Sequence, residues 1–270
     1  MLSTPPSKRI DKSADGWDLA LTRVDISHAV NKMAKYTRRP GKNHFMALVH
    51  VLRYLRDNSH VGITFYSDLE RSPIHNLLLK SASTAELGKE MFFTFSDSSW
   101  NDDVVTGRST GCYLIVYMGG IVDHSLNMPS PVALSSAEAE YNEACLACMG
   151  TNHMSMLLDE IEGNEQPRQQ IPLILDSKSA IAMGNSFRDT KHTRHILRRF
   201  HYVREEVDSG RFRLFWIKTD DELADIGTKQ TPGPRHTLLT NTILVRVSDG
   251  LKSIKAAFAK LVKYKRGDSV

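Results

Sequence analysis

The chain has 270 residues, with 35 Lys and Arg against 31 Asp and Glu for a formal charge of +4, and 41% of its residues are hydrophobic. That apolar content suffices for one or two packed domains and excludes a disordered chain. No apolar run approaches the ~20 residues of a membrane span, and the opening Met1-Leu2-Ser3-Thr4-Pro5-Pro6 lacks the apolar stretch of a secretory leader, so the expectation is an intracellular chain, cytoplasmic or nuclear, without a membrane partner.

Residues 1–16 are polar and read as a flexible N-terminus, with helical structure predicted from about Trp17. Ile26, Ala29, Val30, Met33 and Ala34 recur at helical spacing until Pro40-Gly41 breaks the pattern. Phe45, Leu48, Val49, Leu52 and Leu55 form the apolar stripe of a second helix over about 43–57, so a helical hairpin is expected. A strand-like run over 61–66 follows, and the polar cluster at Ser81 to Ser83 reads as a domain boundary. From Met91 the pattern turns to strands. Residues 91–97 form an aromatic, buried strand with Asp97 at its end, and 112–117 and 121–125 flank Met118-Gly119-Gly120 as a hairpin. Ser135, with Glu138 three residues on, opens a long helix to about residue 162, for which Leu146, Met149, His153, Met156 and Leu157 supply a helical face. A strand at 172–176, a short helix at 177–185, a basic helix at about 190–208, a strand at 212–218 and a short helix at 222–228 complete an α/β layout of one sheet with helices packed on it.

The net charge conceals a partition. Residues 1–60 carry +6, 61–187 carry −10, 188–218 carry +5, 219–250 carry −2 and the last twenty +5. An acidic middle between basic arms suits either a solvated surface of mixed sign or a polyanion held beside a cation-requiring carboxylate site. Within the acidic part, Asp97, Glu140, Asp176 and Asp225 fall at element ends where they could converge. Singly, such acids are ordinary helix caps and strand ends. Together they offer hard oxygen ligands for two Mg²⁺ ions about 3.5 to 4 Å apart, the arrangement that activates a water and stabilises the leaving oxygen in phosphodiester hydrolysis.

Five segments in order, Phe95-Ser96-Asp97, Ala133 through Tyr141, Leu175 through Ala182, Thr193-Arg194-His195-Ile196 and Leu223 through Lys229, resemble the ribonuclease H domain of Ty1/copia-type retrotransposon polyproteins. Upstream, Leu21 through Ile26 and the 47–55 helix with Arg53-Tyr54-Leu55 resemble the tail of the same elements' reverse transcriptase. The resemblance implies a ribonuclease-H-like mixed five-stranded sheet with flanking helices at 89–235, preceded by a thumb- or connection-like helical segment at 17–88 and followed by a basic C-terminal extension at 236–270. It implies endonucleolytic hydrolysis of the RNA strand of RNA·DNA hybrids. Asp97, Glu140, Asp176 and Asp225 would be both the catalytic acids and the ligands of two Mg²⁺ ions, with Mn²⁺ as substitute. Glu138 rivals Glu140, but Glu140 precedes Tyr141 as in the family and Glu138 has a capping role available. The sequence departs from the pattern at three points. Residues 218–222 lack the His that many cellular ribonucleases H carry in a mobile loop. Gly227 replaces a large apolar residue, which would loosen the last helix, and Gln230-Thr231 replaces Pro-Leu. Asp102 and Asp103 are extra acids near Asp97.

The basic helix presents Arg188, Lys191, Arg194, Arg198, Arg199 and Arg204 around Ile196, Phe200, Val203 and Val207, a pattern that suits phosphate binding. Lys191, Arg194, His195, Arg198 and Arg199, with Lys178 beside Asp176, are the candidate nucleic-acid contacts. Leu251, Ile254, Phe258 and Leu261 alternate with lysines in a further amphipathic basic stretch, read first as nucleic-acid contact. Other motifs carry less. Asp208-Ser209-Gly210 fits a helix end better than half a protease dyad. Cys112, Cys145 and Cys148 read as reduced thiols, with no disulfide framework or zinc site. No polymerase Tyr-x-Asp-Asp or phosphate-binding glycine loop occurs. The partners expected are an RNA·DNA hybrid and other polyprotein domains or a host assembly. The competing class is a non-catalytic, host-adopted module that binds nucleic acid or protein.

Overall fold

The computed structural model describes residues 22–103, 106–128, 132–185 and 197–246, with backbone only over 197–200. Two helices come first, α1 (Val24–Ala34) and α2 (Lys42–Asp57), then a two-residue strand β1 (Val61–Gly62) and a short helix α3 (Pro73–Leu79). The main sheet is built from β2 (Phe92–Ser99), β3 (Thr110–Tyr117), β4 (Gly120–Asn127), β5 (Ile171–Leu175) and β6 (Phe212–Trp216). Between and after them lie α4 (Ser136–Glu162), α5 (Lys178–Gly184), α6 (Leu197–Asp208), α7 (Asp225–Thr228), α8 (Gly233–Ile243) and the two-residue β7 (Val245–Arg246).

The five strands run in the order β4-β3-β2-β5-β6. The first three are antiparallel, and β3 and β4 are joined by a tight turn in which Met118 and Gly119 both take positive φ, the geometry a two-residue hairpin needs. β5 and β6 then join parallel to β2, each reached through helices. This is the expected mixed five-stranded sheet with flanking helices. β2 lies in the middle, buried on both faces, which explains why its sequence is a near-continuous apolar run rather than an alternating one.

Each face of the sheet has its own core. Phe92, Ile115, Leu173, Leu175 and Phe212 pack against Tyr141, Ala144, Cys148, Ala180 and Val203 from α4, α5 and α6. On the opposite face Phe93, Phe95, Leu114, Val116 and Phe215 pack against Ile226 of α7 and Leu239 and Ile243 of α8. Val24, Ile74, Leu78 and Leu87, all upstream of β2, belong to that same cluster. Polar ties reinforce the contact: His28 Nδ1 donates to the Gly227 carbonyl (2.9 Å), His236 Nε2 to the Asp25 carbonyl (2.9 Å), and β1 pairs antiparallel with β7. Asp25 is buried in an ion pair with Arg23 (2.7 Å) and accepts the Tyr54 hydroxyl (2.7 Å).

Two helical faces differ from the sequence expectation. On α4, Met149, Met156 and Leu157 are exposed, Met156 by 67%, while Ala144, Ala147, Cys148, Thr151 and Ser155 face inward. The reason is closeness: Thr151 and Thr94 hydroxyls meet at 2.7 Å, and a Cβ on Gly150 would lie 2.5 Å from the Tyr113 hydroxyl, so this middle stretch of the helix takes small residues on its inner face. On α2, Phe45, Leu48 and Leu52 are likewise exposed, and Val51 is the buried residue of that helix. The polar segment around Ser81 to Ser83 lies just after α3; Ile74 and Leu78 before it and Leu87 after it belong to one cluster.

Candidate metal centre

Three elements deliver three acids to one point. Asp97 stands near the end of β2, opposite Cys112 of β3, on the same side of the strand as Phe93 and Phe95. Glu140 lies in the second turn of α4, whose start is fixed by Ser135: its hydroxyl accepts the Glu138 N–H (3.2 Å), and the Glu138 carboxylate accepts the Leu134 N–H (2.8 Å). Glu138 is thereby used as a cap, and it is Glu140 that reaches the acids. Asp176 follows β5 directly; Trp216 Nε1 donates to its carbonyl (3.0 Å) and the Thr219 hydroxyl to its carboxylate (2.8 Å). Asp97, Glu140 and Asp176 each offer an oxygen within 4.8 Å of the others.

Asp225, at the start of α7, stands beside this triad but is engaged otherwise. Its Oδ1 accepts Lys229 Nζ at 2.5 Å and its Oδ2 faces Arg235 at 3.6 Å. Lys229 Nζ also lies 3.4 Å from Asp97, whose Oδ2 further accepts the Thr228 hydroxyl. Arg235 anchors the turn over Thr219–Asp221 by donating to the Thr219 carbonyl (3.0 Å) and to that of Asp220. Where the sequence lacks the loop His, the turn instead offers Thr219 to Asp176.

The electrostatics follow from crowding acids in a dry place. Burial raises the Asp97 carboxyl to about 6, with Lys229 opposing and Asp225 and Asp176 adding to the shift. Glu140 is pushed up to about 10, first by burial and then by Asp97 and Asp176. Burial opposes the charge on Lys229, but Asp97, Asp225 and Asp176 outweigh it and hold the ammonium above the usual lysine range. Glu222, fully buried, is raised well above the carboxylate range by burial and then by Asp97, although its Oε1 accepts the Ala224 N–H (3.0 Å). The Glu140 Oε2 is buried and has no hydrogen-bond partner among the described residues. A hard divalent cation fits these observations: it accepts carboxylate oxygens, satisfies the orphaned one and offsets the repulsion that raises both acids.

The remaining predicted residues fall as follows. Lys178 lies at the start of α5 with its ammonium 4.3 Å from the centre of the Trp216 ring, two residues past Asp176. Arg198 and Arg199 are in the first turn of α6, in the stretch described by backbone alone. Lys191, Arg194 and His195 lie outside the described residues, as does the basic stretch beyond 246. Asp102 and Asp103 are taken up by α1, paired with Lys32 and with Lys35 (3.0 Å). Gly227 does not loosen α7: a Cβ there would lie 2.5 Å from Cys112 Sγ, so glycine lets the helix press onto β3.

Sequence reasoning missed Lys229, Arg235, Thr219 and Glu222. Lys229 had a signal, standing four residues after Asp225 where an acid and a lysine share a helix face. Glu222 had none, since it ends the acidic run Asp220-Asp221-Glu222 that reads as solvated loop.

No family model matches the chain. It is 28% identical over 220 residues to the retrovirus-related Pol polyprotein from transposon TNT 1-94 of Nicotiana tabacum, covering 82% of this chain and 15% of that protein. The Pol polyprotein from transposon RE2 of Arabidopsis thaliana is 31% identical over 212 residues, covering 78% of this chain and 13% of that one. Secreted RxLR effector protein 161 of Plasmopara viticola is 33% identical over 123 residues, 46% of this chain and 73% of the effector. Among solved structures, the N-terminal RNase H domain of a Mycobacterium tuberculosis protein aligns over 56% of this chain and 96% of its own, at 12% identity and a TM-score of 0.37. The chain thus spans about a seventh of the length of the polyproteins it matches.

Proposed function

From a chain that belongs to the Ty1/copia-type retrotransposon Pol polyproteins, we propose a ribonuclease H that hydrolyses the RNA strand of RNA·DNA hybrids with divalent cations, Mg²⁺ or in its place Mn²⁺. The observation that carries this reading is the convergence of Asp97, Glu140 and Asp176 with an unpartnered, buried Glu140 oxygen among them. These three hold one cation; Asp225 is the fourth acid of a two-ion set. Bound there, the ions would lower the pKa of an attacking water and offset charge on the phosphate in the transition state.

The chain's own groups supply positioning. β2, α4 and β5 are rigid, mutually packed elements, so the three carboxylates are preorganised. Thr219 and Trp216 hold Asp176 in place from the β6 side, and Thr228 holds Asp97 from α7. Lys178, braced on Trp216, sits at the rim where a phosphate of the bound strand would pass. Arg198 and Arg199 of α6, with Lys191, Arg194 and His195 before them, are the proposed grip on the hybrid backbone. Discrimination of hybrid from DNA duplex would rest on 2′-hydroxyls of the cut strand.

The test is incubation of the purified chain with an end-labelled RNA·DNA hybrid, a DNA duplex and single-stranded RNA, in Mg²⁺ and in Mn²⁺. Cation-dependent cutting of the RNA strand of the hybrid alone is expected. Hybrid bound but uncut in both metals contradicts the nuclease reading and favours the non-catalytic binding module.

A further inference from the structure

Lys229 occupies a place that a four-acid, two-ion site assigns to a metal. Its ammonium lies 2.5 Å from Asp225 Oδ1 and 3.4 Å from each Asp97 oxygen, bridging the two carboxylates. The second Asp225 oxygen faces Arg235 at 3.6 Å, so both oxygens of this acid are turned toward cations already in the chain. Asp225 is accordingly the one of the four acids that does not join the 4.8 Å cluster among the described residues. The Lys229 side chain is 37% exposed, which gives its long, flexible arm a path from the carboxylates to solvent.

We propose that Lys229 is a built-in cation at the second-ion position: without nucleic acid the protein takes one divalent ion, at Asp97, Glu140 and Asp176, and a second enters only once the ammonium has left Asp225. Lys229 is therefore a positioning residue of the metal site. A strand phosphate arriving at the site is the natural counter-charge to draw the ammonium away, which couples entry of the second ion to the presence of substrate. The inference rests on the metal-dependent nuclease reading and deepens it.

The experiment is a Mn²⁺ titration of the full chain without nucleic acid, with free Mn²⁺ read by electron paramagnetic resonance, so that the readout is stoichiometry rather than activity. The wild type is expected to bind one ion. Asp225→Asn is expected to keep that ion, whereas Asp176→Asn weakens it by about tenfold or more. Lys229→Met is expected to raise the stoichiometry from one to two, and Lys229→Arg to leave it at one. If Lys229→Met does not fold by circular dichroism, Lys229→Gln, polar and uncharged, takes its place, and the Asp225→Asn arm stands independently. Two ions on the wild type, loss of the ion in Asp225→Asn, or one ion in the folded neutral variants would overturn the role of Lys229 while leaving the metal reading intact. No Mn²⁺ on the wild type at all would overturn both.

Discussion

At the scale of single residues, the site is a compromise between burial and charge. Asp97 at about 6 and Glu140 at about 10 both titrate above the values of an unfolded carboxyl, so the native state binds their protons more tightly than the unfolded chain does. Stability contributed by these protons is therefore full at low pH and is lost as pH rises from about 4 through 6 and on toward 10. A divalent cation takes over the proton's role once the acids are ionised. The metal-free protein is accordingly expected to melt lower at pH 8 than at pH 5.5, and Mg²⁺ to raise the melting temperature by several degrees at pH 8 but hardly at pH 5.5; scanning fluorimetry at the two pH values measures it. An equal Mg²⁺ effect at both would contradict the assignment. Gly227 makes a second residue-scale case. Gly227→Ala puts a methyl 2.5 Å from Cys112 Sγ and 2.9 Å from its Cβ, and is expected to cost about 1–3 kcal/mol by denaturant titration. From the sequence this glycine reads as a weak point because its neighbour across the sheet is invisible there; the clustering acids Asp97, Glu140 and Asp176 stood out because each lies near a strand end or a helix start, while the Lys229 bridge depends on side-chain reach that spacing alone does not give.

At the scale of elements, the position of Glu140 depends on where α4 begins. Ser135 caps the helix, and Glu140 follows five residues later, a little over one turn, so the cap sets the angle at which the carboxylate meets Asp97 and Asp176. Ser135→Ala is expected to cost about 1 kcal/mol of stability and to weaken Mn²⁺ binding measurably more than Ser72→Ala, which removes the cap of α3, a helix that carries no ligand. Equal effects from the two caps would argue that the helix start does not position the site. The cap was legible in the sequence as Ser135 with Glu138. The buried face of the same helix was not, because hydrophobic periodicity weights Met149, Met156 and Leu157, whereas close packing on β2 and β3 selects Ala144, Ala147, Cys148 and Thr151. Likewise the stripe of α2 is real as a pattern, yet Phe45 and Leu52 of it face outward, and only tertiary packing decides that.

At the scale of the molecule, the sheet needs both of its covers. The α4–α6 layer was legible from strands alternating with helices. The other layer joins pieces distant in sequence, with α1 and α3 from upstream of β2 and α7 and α8 from after β6 closing over Phe93, Phe95 and Phe215. No local pattern announces such a contact, since β1 and β7 are two residues each and their pairing spans most of the chain. A fragment starting at residue 89 strips Val24, Ile74, Leu78 and Leu87 from that core, and is expected to lack in calorimetry the cooperative thermal transition expected of the full chain. A fragment melting as sharply and as high as the full chain would show the upstream segment to be dispensable. The packing also links the site to the rest of the chain: His28 is bonded to Gly227, one residue from Thr228 and two from Lys229, and α1 holds Asp102 and Asp103 after β2.

The most direct test of the central claim compares the wild type with Asp97→Asn and Asp176→Asn on one labelled RNA·DNA hybrid, measuring cutting and binding in the same samples. The account predicts Mg²⁺- or Mn²⁺-dependent scission of the RNA strand by the wild type, loss of scission in both variants, and hybrid binding retained in all three. Scission that survives either substitution, or a wild type that binds and never cuts, would contradict it.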